Sequence, residues 1–345
     1  MQTYHKSILT LLLLFCSITI FAQENQAAMA LLKEGTALHD AQKYPEAIAK
    51  YDAALKIDPN NAIIIYEKAF TLYASGKTDD ALTILEKLVI TDKSARTYAL
   101  LGNIYDERKD FDKAINNYTK GVAVAPKDGN LWYNLSVSYI IQKKYVQAEA
   151  AATEAIKINP KHPNSQRSYA MATYNEGKHI NSILAWCNFL IMEPQTQRSI
   201  EALTYIKHML YFNVKGNSMT MGGTDESTKA QQIAIALSVT SGLAIAQKAA
   251  SNKGTAITRL DSLTIPLQFI LKLSGEKKDP ANTVFFNKYY ADFFGALANT
   301  EYMDAFFRYI TISAFRNDNI AWLKEHQDNL KALTTWINTT KRETE

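Results

Sequence analysis

The sequence predicts an all-α protein, most of which is built from repeated helical hairpins. Only 13 of its 345 residues are glycine and 8 are proline, so few positions interrupt helices. No stretch of any length alternates apolar and polar residues as a half-buried strand would. Pairs of amphipathic segments instead recur every 33 to 34 residues, a period that is typical of stacked helical hairpins.

The composition is that of a globular protein, with 47% hydrophobic and 21% charged residues. The 38 basic and 34 acidic residues give a formal net charge of +4 and are scattered along the chain. Because binding to a phosphate backbone needs a basic stripe on the protein, we do not expect a nucleic-acid partner.

The first segment, residues 1–22, is predicted to be a signal peptide. Its start is weakly basic, residues 8–21 are apolar, and the chain turns polar after Ala22. A membrane anchor would need about 20 apolar residues, and lipid attachment at Cys16 would need a small residue where Phe15 stands. We therefore expect export to the periplasm or cell envelope, or secretion, with no integral membrane span in the mature chain.

Removal of the signal peptide would leave Cys187 as the one cysteine, so the sequence predicts no disulfide framework. Cys187 lies within the apolar stretch SILAWCNFLIM. It is therefore predicted to be a buried small hydrophobic residue rather than a reactive thiol. Stability must come from packing.

The repeat at residues 95–128 shows the pattern most clearly. Its large, small and proline residues stand at fixed spacings: Tyr98, Leu101, Gly102, Tyr105, Ala114, Tyr118 and Pro126. Further copies cover four other segments: 28–61, 62–94, 129–162 and 163–196. Small residues such as Gly102 allow the two helices of a hairpin to approach closely, while larger side chains fill the space around them.

This pattern resembles the tetratricopeptide repeat family, which has large apolar residues at repeat positions 4, 7, 11 and 24, small residues at 8, 20 and 27, and proline at 32. The second copy departs from it with Leu88 at position 27 and Lys93 at position 32, and the fifth has Ser182 and Phe189 where the family prefers alanine. The resemblance implies a right-handed superhelical solenoid in which the first helix of each repeat lines a concave groove.

Beyond residue 196 the regular pattern fades. Residues 197–227 are predicted to form a connecting helix, Ser199–Phe212, and a polar loop, 213–227. Residues 228–345 are predicted to be a C-terminal helical region. It begins with a long helix over 228–250 that is too short and too interrupted for a membrane span.

Three features are predicted in the rest of this C-terminal region. Pro266 indicates a kink or a division into two short helices. From Phe285 onward aromatic pairs recur every four residues and give one helix a wide aromatic face, and residues 286–319 align as a possible degenerate repeat. Asp318 is predicted to cap a last helix that ends at Thr339 and covers the open end of the stack.

The family resemblance implies groove contacts from repeat positions 2, 5, 9 and 12 of each first helix. In this sequence those positions carry apolar residues beyond those that packing needs, with a few polar ones. The candidate groove residues are Tyr66, Phe70, Tyr73, Asn103, Asn130, Tyr133, Val137, Ile140, Arg167, Met171 and Tyr174. Such a surface suits an extended peptide or a helix of another protein. Alternatively, the C-terminal helices or the N-terminal segment fill the groove, or these residues are core.

One subclass of the family grips C-terminal carboxylates with a lysine at position 5. The five copies here carry other residues at that position: Leu32, Tyr66, Ala99, Tyr133 and Arg167. A receptor for chaperone tails is therefore not expected.

No catalytic motif stands out, because the sequence has no GxSxG, HExxH or GxxxxGK pattern and no closely spaced His/Cys set. We expect no catalytic residue, no metal and no cofactor. The sequence is interpreted as a non-catalytic protein-binding scaffold of the bacterial cell envelope. The alternatives are a structural subunit of an outer-membrane-associated assembly that uses the aromatic C-terminal helices, and an enzyme with an unrecognised site between the repeats and the C-terminal region.

Overall fold

The computed structural model describes residues 25–211, 226–276 and 283–344, and every regular element in these ranges is helical. The predicted signal peptide and nearly all of the predicted polar loop 213–227 lie outside the described residues. The all-α prediction is confirmed, and the repeated helix pairs that it rests on are present.

The chain divides into two compact units, one up to Pro126 and the other from Lys127 onward. The helices of the first unit are α1 (25–40), α2 (Tyr44–Ile57), α3 (Ala62–Ala74), α4 (Thr78–Thr91), α5 (Ala95–Glu107) and α6 (Phe111–Val124). Those of the second unit begin with α7 (Gly129–Ile141), α8 (Tyr145–Ile158), α9 (Pro163–Asn175), α10 (His179–Met192) and α11 (Gln197–Tyr211). They continue with α12 (Glu226–Asn252), α13 (Arg259–Glu276), α14 (Val284–Phe286), a π-helical turn (Asn287–Ala291), α15 (Asp292–Ala298), α16 (Met303–Ile310), α17 (Arg316–Glu325) and α18 (Gln327–Thr339).

The turn within each hairpin is made in the same way five times. One residue in each turn has a positive φ: Gln42 (58°), Gly76 (81°), Lys109 (62°), Lys143 (56°) and Gly177 (81°). A left-handed residue ends the first helix and lets the chain reverse into the second. Their regular spacing shows that the sequence period is a structural period.

Several first helices begin with a side-chain cap, which satisfies backbone N–H groups that the helix itself leaves unpaired. The Asn61 side chain accepts hydrogen bonds from the backbone N–H groups of Ile63 and Ile64 at 3.1 and 3.2 Å. Asp128 accepts from Asn130 and Leu131 at 3.0 and 3.2 Å. These caps fix where α3 and α7 start, and hence which residues share a face.

The contact between the helices of a hairpin depends on a small residue that faces a large ring. A Cβ atom on Gly102 would overlap the ring of Tyr118, and one on Gly35 would overlap the ring of Tyr51. Both tyrosines are almost fully buried. The predicted role of Gly102 in close helix approach therefore agrees with the structure, and the group it accommodates is the Tyr118 ring.

The core of the second unit surrounds α10 on all sides, and most of the residues of α10 are buried. Phe189 and Cys187 are fully inaccessible, and the Ser182 hydroxyl donates to the carbonyl oxygen of Ala170 at 2.8 Å. A helix that is apolar all round is typical of such a position. Ser182 and Phe189 depart from the repeat pattern because α10 packs against C-terminal helices as well as against the other helix of its own hairpin.

The aromatic C-terminal side chains complete this core. Their buried members include Phe285, Phe286, Tyr289, Tyr290, Phe293, Phe294, Phe306 and Phe307. Tyr290 stacks on Tyr169 of α9 with ring centroids 5.3 Å apart, and its hydroxyl donates to the side chain of Gln166. The aromatic face therefore covers the fifth hairpin, and these rings are not exposed for an outside partner.

Two expectations for the C-terminal region need correction. Pro266 lies inside one continuous helix, α13, so the region does not form two short helices. The predicted last helix is two helices, because His326 leaves the helical conformation with φ −120° and ψ 47° and separates α17 from α18. Asp318 lies in the first turn of α17 and does not cap it.

The long helix α12 presents an exposed apolar stripe. Ile233, Leu237 and Ile245 are each about three-fifths exposed. The expectation that this helix is too short and too interrupted for a membrane span is corrected here, because residues Lys229–Asn252 are long and apolar enough to cross a membrane by length and composition, with 22% of the most apolar window buried. A single helix of this kind is weak evidence for a span, because core helices have the same length and composition.

Candidate functional site

The candidate groove residues lie on the first helices of four hairpins, in two groups. Four belong to the first unit: Tyr66, Phe70, Tyr73 and Asn103. Seven belong to the second unit: Asn130, Tyr133, Val137, Ile140, Arg167, Met171 and Tyr174. Asn130 is exposed and the other ten are half-buried. Each group is described within its own unit.

In the first unit the aromatic side chains contact each other and nearby charged groups. Phe70 stacks on His39 with centroids 5.0 Å apart and on Tyr66 at 6.2 Å. The Arg96 guanidinium carbon lies 4.4 Å from the centre of the Tyr66 ring, a cation–π contact. The Tyr73 hydroxyl donates to Glu107. This surface is therefore largely satisfied by internal contacts.

Asn103 is hydrogen-bonded to a buried tyrosine of its own hairpin. Its side-chain oxygen accepts a hydrogen bond from the buried Tyr118 hydroxyl at 2.8 Å, and that hydroxyl lies 3.1 Å from Asp106 Oδ2. Burial and the Asp106 charge raise the pKa of Tyr118, so the hydroxyl stays protonated as a donor. Asn103 thus helps to position the ring that packs against Gly102.

In the second unit, Tyr133 packs edge-on against His162, with centroids 5.3 Å apart. His162 Nδ1 lies 2.8 Å from the Ser165 hydroxyl, and burial lowers the pKa of His162. Val137 and Ile140 follow Tyr133 at helical spacing and are half-buried. The face of α7 is therefore apolar, and the Tyr133 ring packs against His162, the residue just before α9.

The most organised part of the site joins α9 to α11. Arg167 Nη2 and Nε donate to the two carboxylate oxygens of Glu201 at 2.8 and 3.2 Å. This bidentate pair raises the pKa of Arg167. The Tyr174 hydroxyl lies 3.1 Å from His208 Nδ1, and the Tyr174 ring packs edge-on against Tyr205 at 4.8 Å.

The partners of Arg167 and Tyr174 on α11 are each 34 residues further along the chain. Residues 164 and 198 are paired at the same separation, because Arg198 donates to Asn164 at 2.5 Å. The helix α11 therefore continues the register of the repeats as a further first helix. Three site residues of α11 were not predicted from the sequence: Glu201, Tyr205 and His208. The 34-residue separation from Arg167 and Tyr174 is the signal that locates Glu201 and His208.

An open cavity of about 480 Å³ lies on this surface, which we name the α9–α11 face. Its main lining residues are Tyr174, Ile200, Glu201, Thr204, Tyr205 and His208. Burial raises the pKa of both Tyr174 and Tyr205, so their hydroxyls are neutral at physiological pH. The cavity combines aromatic rings, a neutralised carboxylate and a histidine, and it can hold one side chain of a partner.

Within the described ranges, no three or more His, Cys, Asp or Glu side chains are grouped to hold a metal ion. Cys187 is fully buried as expected, and burial raises the pKa of its thiol. His179 is buried, and burial lowers its pKa to about 4. The buried histidine is thus neutral at physiological pH.

Residues 38–104 and 99–163 each match a model described as a tetratricopeptide repeat. The BBSome complex member bbs-4 of Caenorhabditis elegans is 24% identical over 167 residues, which are 47% of this chain and 36% of that protein. The small glutamine-rich tetratricopeptide repeat-containing protein 2 of Saccharomyces cerevisiae is 29% identical over 133 residues, 37% of this chain and 38% of the relative. The chain thus spans little more than a third of these relatives.

Two solved structures are also similar to part of the chain. PilF of Pseudomonas aeruginosa is 19% identical, with a TM-score of 0.48 over 61% of this chain and 90% of that one. YrrB, titled a TPR protein with an unusual peptide-binding site, is 14% identical, with a TM-score of 0.47 over 55% of this chain and 97% of that one. The family models and relatives show that the chain contains tetratricopeptide repeats.

Proposed function

We propose that this chain is a non-catalytic scaffold that binds a peptide or helix of another protein on the α9–α11 face. The observation that carries the proposal is the open cavity beside Tyr174. Proteins with tetratricopeptide repeats generally mediate protein–protein interactions. A cavity lined by aromatic rings with a few polar groups suits a single anchoring side chain of such a partner.

The contacts around the cavity support a preformed site. The Arg167–Glu201 pair and the Tyr174–His208 contact join the two helices that line it. Because those side chains are already ordered, a partner would lose little entropy in fixing them. The half-buried Tyr133, on the neighbouring hairpin of the same unit, offers further apolar surface next to the ordered His162 ring. The first-unit aromatic residues support the proposal less, since they stack on one another.

Site-specific photocrosslinking in the source organism tests this proposal. A benzophenone amino acid at Thr204, which is exposed and lines the cavity, should crosslink to a defined segment of one or a few other proteins. The matched control is the same amino acid at Val146, which is 66% exposed on α8. Equal crosslinking to the same proteins from both positions, or crosslinking from Thr204 only within the chain, would reject the proposal.

We further propose that the scaffold acts in the bacterial cell envelope after export, within an envelope complex. Support comes from the apolar run at residues 8–21 and the polar switch after Ala22. Compartment fractionation and N-terminal sequencing of the mature chain test this part separately. The mature chain should begin close to Gln23 and lie outside the cytoplasm. A cytoplasmic chain that retains residues 1–22 would contradict export and leave the α9–α11 proposal standing.

A further inference from the structure

A second cavity of about 370 Å³ lies elsewhere in the second unit, away from the residues of the α9–α11 face. It is enclosed by the turn after α8, by α10, by the π-helical turn, and by α18 with the segment that follows it. The residues that matter to its chemistry are Lys161, Asn188, Met192, Tyr289, Ile337 and Arg342. Their combination of two cations with apolar walls is unlike that of the α9–α11 face.

Arg342 is held in a fixed position at this cavity. Its guanidinium carbon lies 3.3 Å from the centre of the Phe293 ring and 5.5 Å from that of Tyr289. One of its N–H groups donates to Asn188 Oδ1 at 2.5 Å. It also has a side-chain hydrogen bond with Tyr289. Since a guanidinium carries five N–H donors, these two hydrogen bonds leave donor capacity for an acceptor in the cavity.

No acidic side chain among the described residues balances this charge. None of the lining residues is Asp or Glu, and neither Arg342 nor Lys161 forms an ion pair with a described carboxylate. The adjacent acid, Glu343, pairs with Lys288 at 2.8 Å instead. Burial lowers the pKa of Arg342, the effect expected for a charge removed from water without a counter-ion.

The surroundings specify which kind of anion fits. A planar guanidinium matches a carboxylate through two parallel N–H···O bonds. The Ile337 and Met192 side chains line the same cavity and give it apolar surface, which favours a ligand with a hydrocarbon part over a fully hydrated ion. Lys161, which is exposed at the same cavity, adds attraction for the negative charge.

We propose that this cavity binds a carboxylate attached to a short apolar group, with Arg342 as its principal partner. Two sources share that chemistry: a free organic acid and the C-terminal carboxylate of a peptide that ends in an apolar residue. The site is independent of the proposed peptide site on the α9–α11 face.

Titration calorimetry on the intact chain tests the proposal with four probes: hexanoate, its neutral amide hexanamide, inorganic phosphate, and acetyl-Ala-Leu with a free C-terminal carboxylate. Saturable binding of hexanoate or of the peptide, with no binding of hexanamide, is expected. Hexanoate binding alone identifies a free acid as the source, and peptide binding identifies a chain terminus. Failure of both carboxylates, or binding of hexanamide or phosphate as tight as that of the carboxylates, would overturn it.

Two substitutions sharpen the test. Arg342→Gln removes the guanidinium and should weaken binding about tenfold or more, because a charge-assisted hydrogen bond is lost. Lys341→Gln makes the same change of charge at the neighbouring exposed residue outside the cavity, and binding should stay within about twofold. Equal affinities of the two variants would overturn the assignment. If Arg342→Gln unfolds the chain, Lys161→Gln takes its place and should weaken binding severalfold, whereas unchanged binding would count against the site.

Discussion

Gly102 and Tyr118 set the distance between the two helices of the third hairpin. The missing side chain at Gly102 makes room for the Tyr118 ring, whose hydroxyl donates to Asn103 and lies 3.1 Å from Asp106 Oδ2 on the opposite helix. Gly35 and Tyr51 have the same arrangement in the first hairpin. The same glycine–tyrosine pair therefore packs the helices together in two hairpins. In each, the tyrosine ring occupies the space that a side chain on the glycine would fill.

Replacing Gly102 with Leu should destabilise the first unit by about 1 to 3 kcal/mol, because the added side chain displaces the buried Tyr118 ring. The free energy of unfolding from denaturant titration measures this cost. Ala123→Leu, at an exposed position on α6, is the control and should change stability by less than about 0.5 kcal/mol. An unchanged unfolding free energy for Gly102→Leu would contradict the packing described for this hairpin.

A second residue-scale feature is the group formed by Glu149, Glu176 and Lys178. Lys178 Nζ lies 2.5 Å from Glu149 Oε2 and 2.8 Å from Glu176 Oε2. The Tyr169 hydroxyl donates to the other oxygen of Glu149 at 3.1 Å. Burial, followed by the charge of Glu149, raises the pKa of Glu176 to about 7. Two carboxylates thus share one ammonium group.

This arrangement predicts a pH-dependent stability. Glu176 has an ordinary pKa of 4.5 when unfolded and a pKa of about 7 when folded, so the folded chain binds the extra proton between these values. The contribution of Glu176 to the free energy of unfolding is therefore complete below about pH 4.5 and is lost as the pH rises through about 7. Between pH 5 and pH 8 the natural chain should therefore lose about 2 to 3 kcal/mol of unfolding free energy relative to Glu176→Gln.

The difference in unfolding free energy between the natural chain and Glu176→Gln, measured at both pH values, isolates this group from the histidines. Glu154→Gln, a change at a more exposed glutamate of α8, is the control for the substitution itself and should change the unfolding free energy by less than about 0.5 kcal/mol. A constant difference for Glu176→Gln would show that Glu176 is ionised throughout, contrary to the raised pKa.

At the scale of elements, α13 and α15 cross closely at two glycines. A Cβ atom on Gly275 would lie 2.6 Å from the Cα atom of Gly295, and a Cβ on Gly295 would likewise overlap the backbone of Gly275. Backbone atoms cannot move aside as a flexible side chain can. The crossing therefore fixes how the aromatic residues before and within α15 meet the core of the second unit.

Gly295→Ala should destabilise the second unit by about 1 to 3 kcal/mol, even though alanine favours helix more than glycine does. Thermal unfolding followed by circular dichroism gives the direction of the change. Gly129→Ala is the matched control, since its Cβ would meet the Ile158 side chain at 3.3 Å and a backbone atom only at 3.7 Å, and a much smaller change is expected there. A Gly295→Ala variant as stable as the natural chain would show that α13 and α15 do not cross at these two glycines.

The helix α11 shows how an element acquires a role through its register. Its residues Glu201 and His208 meet Arg167 and Tyr174 one repeat earlier in the chain. Without α11 the last first-helix face would lack a neighbour, and the cavity beside Tyr174 would have no second wall. Extending the array by one helix therefore creates the site that we assign to partner binding.

At the scale of the whole molecule, the sequence predicts the helical hairpins well because one pattern is repeated five times. Each copy gives an independent indication of its turn, and the left-handed residues from Gln42 to Gly177 recur at the expected spacing. Local capping residues such as Asn61 and Asp128 then mark individual helix starts. Repetition compensates for the weakness of any single signal.

The packing of the C-terminal region could not be predicted from the sequence, because it depends on contacts between residues that are far apart in the chain. The aromatic pattern from Phe285 was visible, but its burial rests on contacts such as that between Tyr290 and Gln166, 124 residues apart. Arg342 meets Asn188 across 154 residues. Helical periodicity reports which residues share a face and carries no information about what covers that face.

The scaffold proposed here binds a peptide of another protein on its α9–α11 face. The dissociation constant of the segment crosslinked from Thr204, made as a synthetic peptide, tests it most directly when measured for the natural chain, Tyr174→Ala and Val146→Ala. Binding should be about tenfold or more weaker for Tyr174→Ala, as for loss of an aromatic anchor, and should change within about twofold for Val146→Ala, which is exposed on α8. Equal dissociation constants for the folded Tyr174→Ala and Val146→Ala variants would contradict it.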